Sequence, residues 1–431
     1  MKPRILLINP PIYDFAAFDF WLKPYGLLRV AGRLKSIADL YLFDFLYRRH
    51  PAFDPAGKIK EDLWGRGDFP SERVPKPPVF KDIPRYFNRF GLPQSVFLEY
   101  LDKHGPFDFA LIQTSLTYWY PGVREAIGLL RQRRPQIKIV LGGFYATCCP
   151  GHAAQGADLV IHQDDLAPLW DLLGESAADG YCTPWWQGYP TADKGIMTLT
   201  DGCPFQCSYC YQPLSGRPFR PRPLEECIAD YEHLAGLGTQ NIAFYDDALL
   251  VRPDETLIPF LDYVIDHPRG IHFHTPNALH ARNLTPELAN RMVAAGFQTF
   301  YLGFESASEQ FQKATGGKIV SRELAEAVDA LQSAGAAGEH ITAYALLGHP
   351  QSDLQQLEET MHFVHRLGIR IMLADFSPIP GTPDGQACQK FTDLDEPLNH
   401  NKTAFPIRLF GKDKVNYFKD LCRNLNRDLS V

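Results

Sequence analysis

The sequence predicts an α/β chain made of two successive strand-and-helix units, first a doubly wound parallel sheet and then a (β/α)6 partial barrel. Three observations carry this expectation. Short apolar runs alternate with segments of helical spacing from the start of the chain, strand-helix repeats follow residue 195, and a cluster of cysteines stands directly after the first of them. Short continuous apolar strands between helices are those of a parallel sheet covered on both faces.

In the first unit, Ile5-Leu6-Leu7-Ile8 marks a strand over 4–9 that Pro10-Pro11 stops. Helical spacing over 27–35 follows, then strands over 39–45, 109–114, 138–142 and 157–162, with helices near 123–133 and 166–173. This order predicts a Rossmann-like domain over 1–180. Within it, residues 50–91 mix Pro, Gly and charge without periodicity and read as a long surface excursion. The stretch 174–194, with Gly180, Pro184, Trp185, Trp186, Gly188 and Pro190, reads as the connection to the next unit.

The second unit has strands expected over 195–200, 241–244, 271–275, 299–304, 340–346 and 370–376. Intervening helices show apolar residues at helical spacing, as in Leu324, Val328 and Leu331, or Leu354, Leu357, Met361 and Val364. Thr285-Pro286 supplies an N-cap and a first-turn proline. The resulting partial TIM barrel, over 190–385, would keep its active site at the carboxyl ends of its strands. Residues 386–431 form a short polar C-terminal extension whose placement the pattern does not give.

A chain of 431 residues is long enough for two cores. No run reaches the length of a membrane span, and the apolar start is too short for a signal peptide, so the expected compartment is cytoplasmic and reducing. There, nine cysteines point to metal or redox use before disulfides. A net charge of -7 without a basic block predicts no nucleic-acid partner.

The chemistry concentrates in Cys203-Pro204-Phe205-Gln206-Cys207-Ser208-Tyr209-Cys210. Three thiolates on one loop can wrap one iron-sulfur cube and leave its fourth iron open. A structural zinc site would need a second pair of ligands, and no cysteine or histidine pair stands at suitable spacing. Acidic residues recur at later strand ends in Tyr245-Asp246-Asp247 and Gly303-Phe304-Glu305-Ser306. Each alone reads equally as a helix cap or a solvated charge; their recurrence at successive strand ends favours a site. His272, His274 and Asn277 also fall near a strand end, where a structural role is as good a reading. Cys148 and Cys149 read as inert packing, and Cys182, Cys227, Cys388 and Cys422 show no ligand spacing.

At these residues the chain resembles the radical S-adenosylmethionine (SAM) superfamily. The resemblance implies a [4Fe-4S] cluster on Cys203, Cys207 and Cys210, whose open iron chelates SAM. It implies that Tyr209 lies against the adenine, that Tyr245 and Asp246 neighbour the methionine amino group, and that Gly303, Glu305 and Ser306 form the ribose stretch. Leu347-Gly348-His349-Pro350 and Pro378-Ile379-Pro380-Gly381-Thr382-Pro383 resemble the loops after the fifth and sixth strands.

The domain order resembles the cobalamin (B12)-binding branch of that superfamily. Thr114-Ser115-Leu116 and Leu141-Gly142-Gly143 look like its S-x-L and G-G segments, which implies cobalamin near Ser115, Leu116, Gly142 and Gly143. The D-x-H-x-x-G loop that brings histidine to cobalt in many cobalamin proteins is missing after the first strand. Asp102-Lys103-His104 imitates its beginning, with Phe107 in place of the glycine. The resemblance implies a radical SAM enzyme methylating an unactivated carbon of a small-molecule or peptide substrate, with an external flavodoxin- or ferredoxin-like electron donor. A cobalamin-independent rearrangement or cyclisation, and an iron-sulfur electron-transfer or sensor protein, remain open alternatives.

Overall fold

The computed structural model describes residues 2–53, 60–176 and 180–429. Parts of the 50–91 excursion (54–59), of the 174–194 connection (177–179) and of the extension (430–431) lie outside the described residues. The chain divides into two compact units, one of Met1–Ala192 with Asp395–Asn399 and one of Asp193–Leu394 with His400–Val431. No helix among the described residues is long and apolar enough to cross a membrane.

The first unit is built on five parallel strands: β1 (Arg4–Asn9), β2 (Asp39–Asp44), β3 (Phe109–Thr114), β4 (Lys138–Gly143) and β5 (Leu159–Val160). Their order is β5-β4-β3-β1-β2. The chain therefore reverses direction across the sheet between β1 and β3, and in such sheets ligands bind at that switch point, beyond the carboxyl ends of the strands. Ile5, Leu7, Leu111 and Val140 bury one face against Leu27, Ala31 and Leu34 of the helix Tyr25–Leu34 and against Leu169 and Trp170. Strand β5 is shorter than its apolar run, and Asp158 just before it is tied to β4 by both backbone and side chain, its amide donating to the Ile139 carbonyl at 2.8 Å. Its carboxylate accepts from the Ile139 amide at 2.9 Å and pairs with Arg131.

The expected surface excursion over 50–91 is a packed layer. Ser71–Arg73 and Asn88–Phe90 pair antiparallel in a three-stranded sheet with Ile12–Asp14, and Gly67–Asp68 pairs with Phe18–Asp19. Trp64, Phe69, Phe80, Phe87 and Phe90 are buried, and buried arginines staple the layer through Arg48 to Asp19 at 2.8 Å and Arg89 to Glu125 at 2.6 Å. Its core comes from aromatics set singly between prolines. Such spacing has neither a strand nor a helix period, which is why the sequence reads as loop.

The second unit carries β6 (Lys194–Met197), β7 (Asn241–Phe244), β8 (His272–Leu279), β9 (Phe297–Glu305), β10 (Ile341–Leu347) and β11 (Arg370–Asp375), paired parallel in chain order. Helices cover one side through Leu324, Val328 and Leu331 and through Leu357, Met361 and Val364. Thr285 caps its helix by accepting from the Leu288 amide at 3.2 Å. The first barrel strand is shorter than expected, ending at Met197; Thr200–Asp201 turns to pair antiparallel with Arg220–Pro221 instead.

The extension is ordered around a need of the sheet. Helix Lys412–Asp428 buries Val415, Phe418, Cys422 and Leu425, one helical face. From it Asn426 accepts from the Ile371 amide and donates to the Ile371 carbonyl, both at 2.8 Å. The side-chain amide thus does for edge strand β11 what a further strand would do, removing an open pairing edge.

Helix Tyr120–Arg133 meets the turn after β1 so closely that a Cβ on Gly122 would collide with the Pro11 carbonyl, whereas Gly128 of the same helix faces open space. Gly122→Ala is expected to cost roughly 1–3 kcal/mol as an overpacked contact. Gly128→Ala should gain about 1 kcal/mol of helix propensity. Opposite shifts of the melting midpoint in the full chain check this; equal shifts would refute the close contact.

Candidate active site at the barrel strand ends

The cysteine loop leaves β6 at its carboxyl end and is held by every side of the barrel mouth. At its base, Asp246 after β7 is buried, and its Oδ1 accepts from the Leu199 amide at 2.8 Å, the Thr200 amide at 2.6 Å and the Thr200 hydroxyl at 2.7 Å. These bonds take two amides out of the strand ladder and turn the chain into the loop. Further along, the His280 ring after β8 stacks on Phe205 at 3.6 Å between centroids, with planes 11° apart. The Thr315 carbonyl accepts from the Ser208 amide at 3.2 Å. Gly316 (φ +119°) lies against Cys207, with a Cβ there only 3.1 Å from the Cys207 Cα.

Cys207 is buried, and Cys203 and Cys210 are half-buried; all are free thiols. Among the described residues, no three His, Cys, Asp or Glu side chains stand as ligands of a single metal ion. A cube makes a different demand, because each thiolate binds its own iron and the sulfurs stay apart. The donor set fits such a group: burial raises all three thiols, Cys210 to about 11, while the Lys318 ammonium opposes that rise at Cys203 and Cys207. Thiols raised this way are deprotonated by a bound cation, not by the protein alone.

Lys318 went unnoticed in the sequence. It is half-buried beside Glu305, Nζ to Oε1 at 3.1 Å, in the space that Gly303 leaves by lacking a Cβ. The Gly-Gly-Lys after a short helix was its only trace. Glu305 ends β9 in the left-handed region at φ +62°, and its Oε2 is buried without a hydrogen-bond partner. A non-glycine residue held there, with an orphaned carboxylate oxygen, stores strain and unmet hydrogen bonding where a ligand's donors would relieve it.

The other expected residues have distinct surroundings. Tyr209 packs its ring against Phe311, Leu346, Phe376, Cys388 and Phe405. Tyr245 is half-buried, its amide on the Met197 carbonyl and its carbonyl accepting from Asn277 at 2.9 Å. Asp247 is exposed at the mouth and accepts from Gln212 Nε2. Ser306 turns inward, accepting from the Ser308 amide at 3.1 Å. Gly348 (φ +99°) lies where a Cβ would strike Pro406. His274 is buried between Asn241 and Thr299, each at 2.9 Å, the structural reading of that histidine.

In the first unit, the S-x-L and G-G segments meet at neighbouring strand ends. Gly143 (φ +114°) cannot carry a Cβ because the Thr114 carbonyl occupies its place. The Ala146 amide donates to Thr114 Oγ1 at 3.1 Å, and the Tyr145 amide to the Ser115 carbonyl at 3.0 Å. Leu116 and Gly142 are half-buried beside them, with Ile161 3.7 Å from where a Gly142 Cβ would stand. Burial raises the thiols of Cys148 and Cys149, the latter to about 11, as befits unreactive packing. His104 is elsewhere: its carbonyl accepts from Arg4, the first residue of β1, and its ring lies 4.5 Å from Tyr100, at the opposite ends of the strands.

Burial raises the Asp246 carboxyl from 3.8 to about 7, against the pull of its three donors and Arg222. With the folded pKa above the unfolded one, the folded chain holds the proton more tightly, so stability is full at low pH and falls as pH rises towards 7. Asp246→Asn keeps an oxygen for the three donors without the charge. Its melting midpoint relative to wild type should rise between pH 5 and pH 8, while Asp246→Ala falls below wild type at both. A pH-independent difference for the asparagine variant would refute the buried charge.

The sequence profile of the radical SAM superfamily matches residues 197–364. An uncharacterised methyltransferase of Pyrococcus horikoshii is 26% identical over 271 residues, covering 60% of this chain and 54% of that protein. A tRNA-2-methylthio-N(6)-dimethylallyladenosine synthase of Petrotoga mobilis is 25% identical over 205 residues, covering 43% of this chain and 44% of that protein. The chain thus spans about half the length of these curated relatives. Among solved structures, the radical SAM methyltransferase TsrM of Kitasatospora setae, with cobalamin and a [4Fe-4S] cluster bound, shares the fold at TM-score 0.63 and 13% identity, covering 94% of this chain and 85% of that one. The cobalamin-dependent SAM radical enzyme OxsB, with aqua-cobalamin and SAM bound, does so at TM-score 0.57 and 12% identity, covering 98% and 61%. The profile match spans the barrel from the end of β6, through the cysteine loop, to the helix before β11, and over these residues the chain is similar to the radical SAM superfamily.

Proposed function

We propose that this chain is a radical SAM methyltransferase that binds a [4Fe-4S] cluster on Cys203, Cys207 and Cys210 and uses cobalamin held by its first unit. The observation that carries the SAM reading is Glu305, with its left-handed backbone and an unpartnered carboxylate oxygen at a strand end next to the cysteine loop. Cluster and SAM together supply reductive cleavage to a 5'-deoxyadenosyl radical, and cobalamin supplies methyl transfer.

The chain's own residues have the supporting tasks. Glu305 offers its free oxygen to ribose hydroxyls, and Lys318 neutralises the carboxylate and offsets the charge of the nearby thiolates. Tyr209 offers an aromatic edge to the adenine, the backbone at Tyr245 lies towards the amino group, and Gly303, Ser306 and Gly348 keep the backbone close. In the first unit, Ser115, Leu116, Gly142 and Gly143 make a side-chain-poor surface beside the switch point that suits a large flat ring. A small-molecule or peptide substrate and an external electron donor suit the net charge of -7 better than an extended nucleic acid.

Each of Cys203→Ala, Cys207→Ala and Cys210→Ala should abolish the cluster, read as loss of about four irons per chain after anaerobic reconstitution. A variant that keeps its iron would remove that cysteine from the ligand set. For cobalamin, the reconstituted chain should take up one corrinoid whose Co(II) paramagnetic resonance is unchanged when the histidines of the chain are labelled with 15N, since His104 lies at the wrong ends of the strands. A signal altered by the label, or no uptake, would contradict this part of the reading.

A further inference from the structure

Ser208, between the second and third cysteines, donates from Oγ to Asp384 Oδ2 at 2.6 Å, and the Asp384 amide donates back to the Ser208 carbonyl at 3.2 Å. The same Asp384 Oδ2 lies 2.9 Å from Nε2 of His349, which is fully buried. His349 Nδ1 accepts from the Gln351 amide at 3.2 Å, which leaves the ring proton on Nε2, the nitrogen in close polar contact with the carboxylate but not aligned for a hydrogen bond to it. Phe311 and Phe376 meet the imidazole edge-on, each at 5.0 Å, and fix its plane. One carboxylate oxygen therefore joins the cysteine loop to the loops after β10 and β11.

We propose that Asp384 is the positioning residue that fixes the cysteine loop for cluster binding, with His349 as its anchor and Ser208 as its handle. The placement is economical: Ser208 directly follows Cys207 and lies two residues before Cys210, so a bond at Ser208 constrains the spacing of those two thiols without using either. Thr382, which caps the helix Pro383–Cys388 by accepting from the Gly385 amide at 2.9 Å, holds Asp384 in its first turn. The inference deepens the cluster reading and rests on it for its purpose, but the bond itself is testable without iron.

The experiment compares the full-length apoprotein with S208A, D384A, D384N and S208A/D384A by amide hydrogen exchange of the segment 203–210. Losing a hydrogen bond to a charged acceptor should speed exchange about tenfold in S208A and in D384A. The double variant should match either single, because both cut one link. D384N, whose amide oxygen can still accept from Ser208, should stay near wild type. After reconstitution, iron release to a chelator should follow the same ranking. S208A removes one oxygen from a loop, so it keeps the test alive if D384A fails to fold. Exchange unchanged in S208A, additive effects in the double variant, or D384N as fast as D384A would overturn the proposal. A wild-type chain that takes up no iron would instead overturn the cluster reading and leave the exchange result standing.

Discussion

The structure depends on one constraint, that a loop of three cysteines with no regular hydrogen bonding of its own must be held in a defined shape. Each backbone group outside a ladder needs another partner, and here the partners come from successive strand ends. Asp246 turns the chain out of β6, His280 backs Phe205, Thr315 and Gly316 seat Ser208 and Cys207, and Asp384 takes the Ser208 hydroxyl. Parallel strands in chain order make this possible, since all their carboxyl ends open on one mouth.

The electrostatics follow from burial. Burying carboxylates and thiols together disfavours charge, and the site answers with the half-buried ammonium of Lys318, beside Glu305 and near the thiols. Its room exists because residue 303 is glycine. Glu305, Lys318 and Gly303 are thus one arrangement, and changing any of them changes the others' energy.

Much of this was legible in sequence. Alternating apolar strands and helices marked both sheets, and the spacing of Cys203, Cys207 and Cys210 marked the chemistry, because both are local patterns. What escaped notice is long-range. Asp384 meets Ser208 across the barrel mouth, Lys318 fills a gap left fifteen residues earlier, and Asn426 finishes an edge strand from the last helix. The layer around Phe69, Phe80 and Phe87 was missed for another reason, since its aromatics follow no period and its partner strand lies near residue 12. Asp246 was visible at its strand end, but nothing local showed that it holds the base of the cysteine loop.

The two units divide the labour the proposal needs, one with strand ends bared by glycine and the other with a clamped cysteine loop and an unpaired carboxylate oxygen. The most direct test of the account is to incubate the anaerobically reconstituted chain with SAM and a low-potential reductant and to measure 5'-deoxyadenosine. The account predicts that it forms with the wild-type chain and not with Cys203→Ala. A chain that holds four irons and binds SAM, yet forms no 5'-deoxyadenosine under reduction, would contradict it.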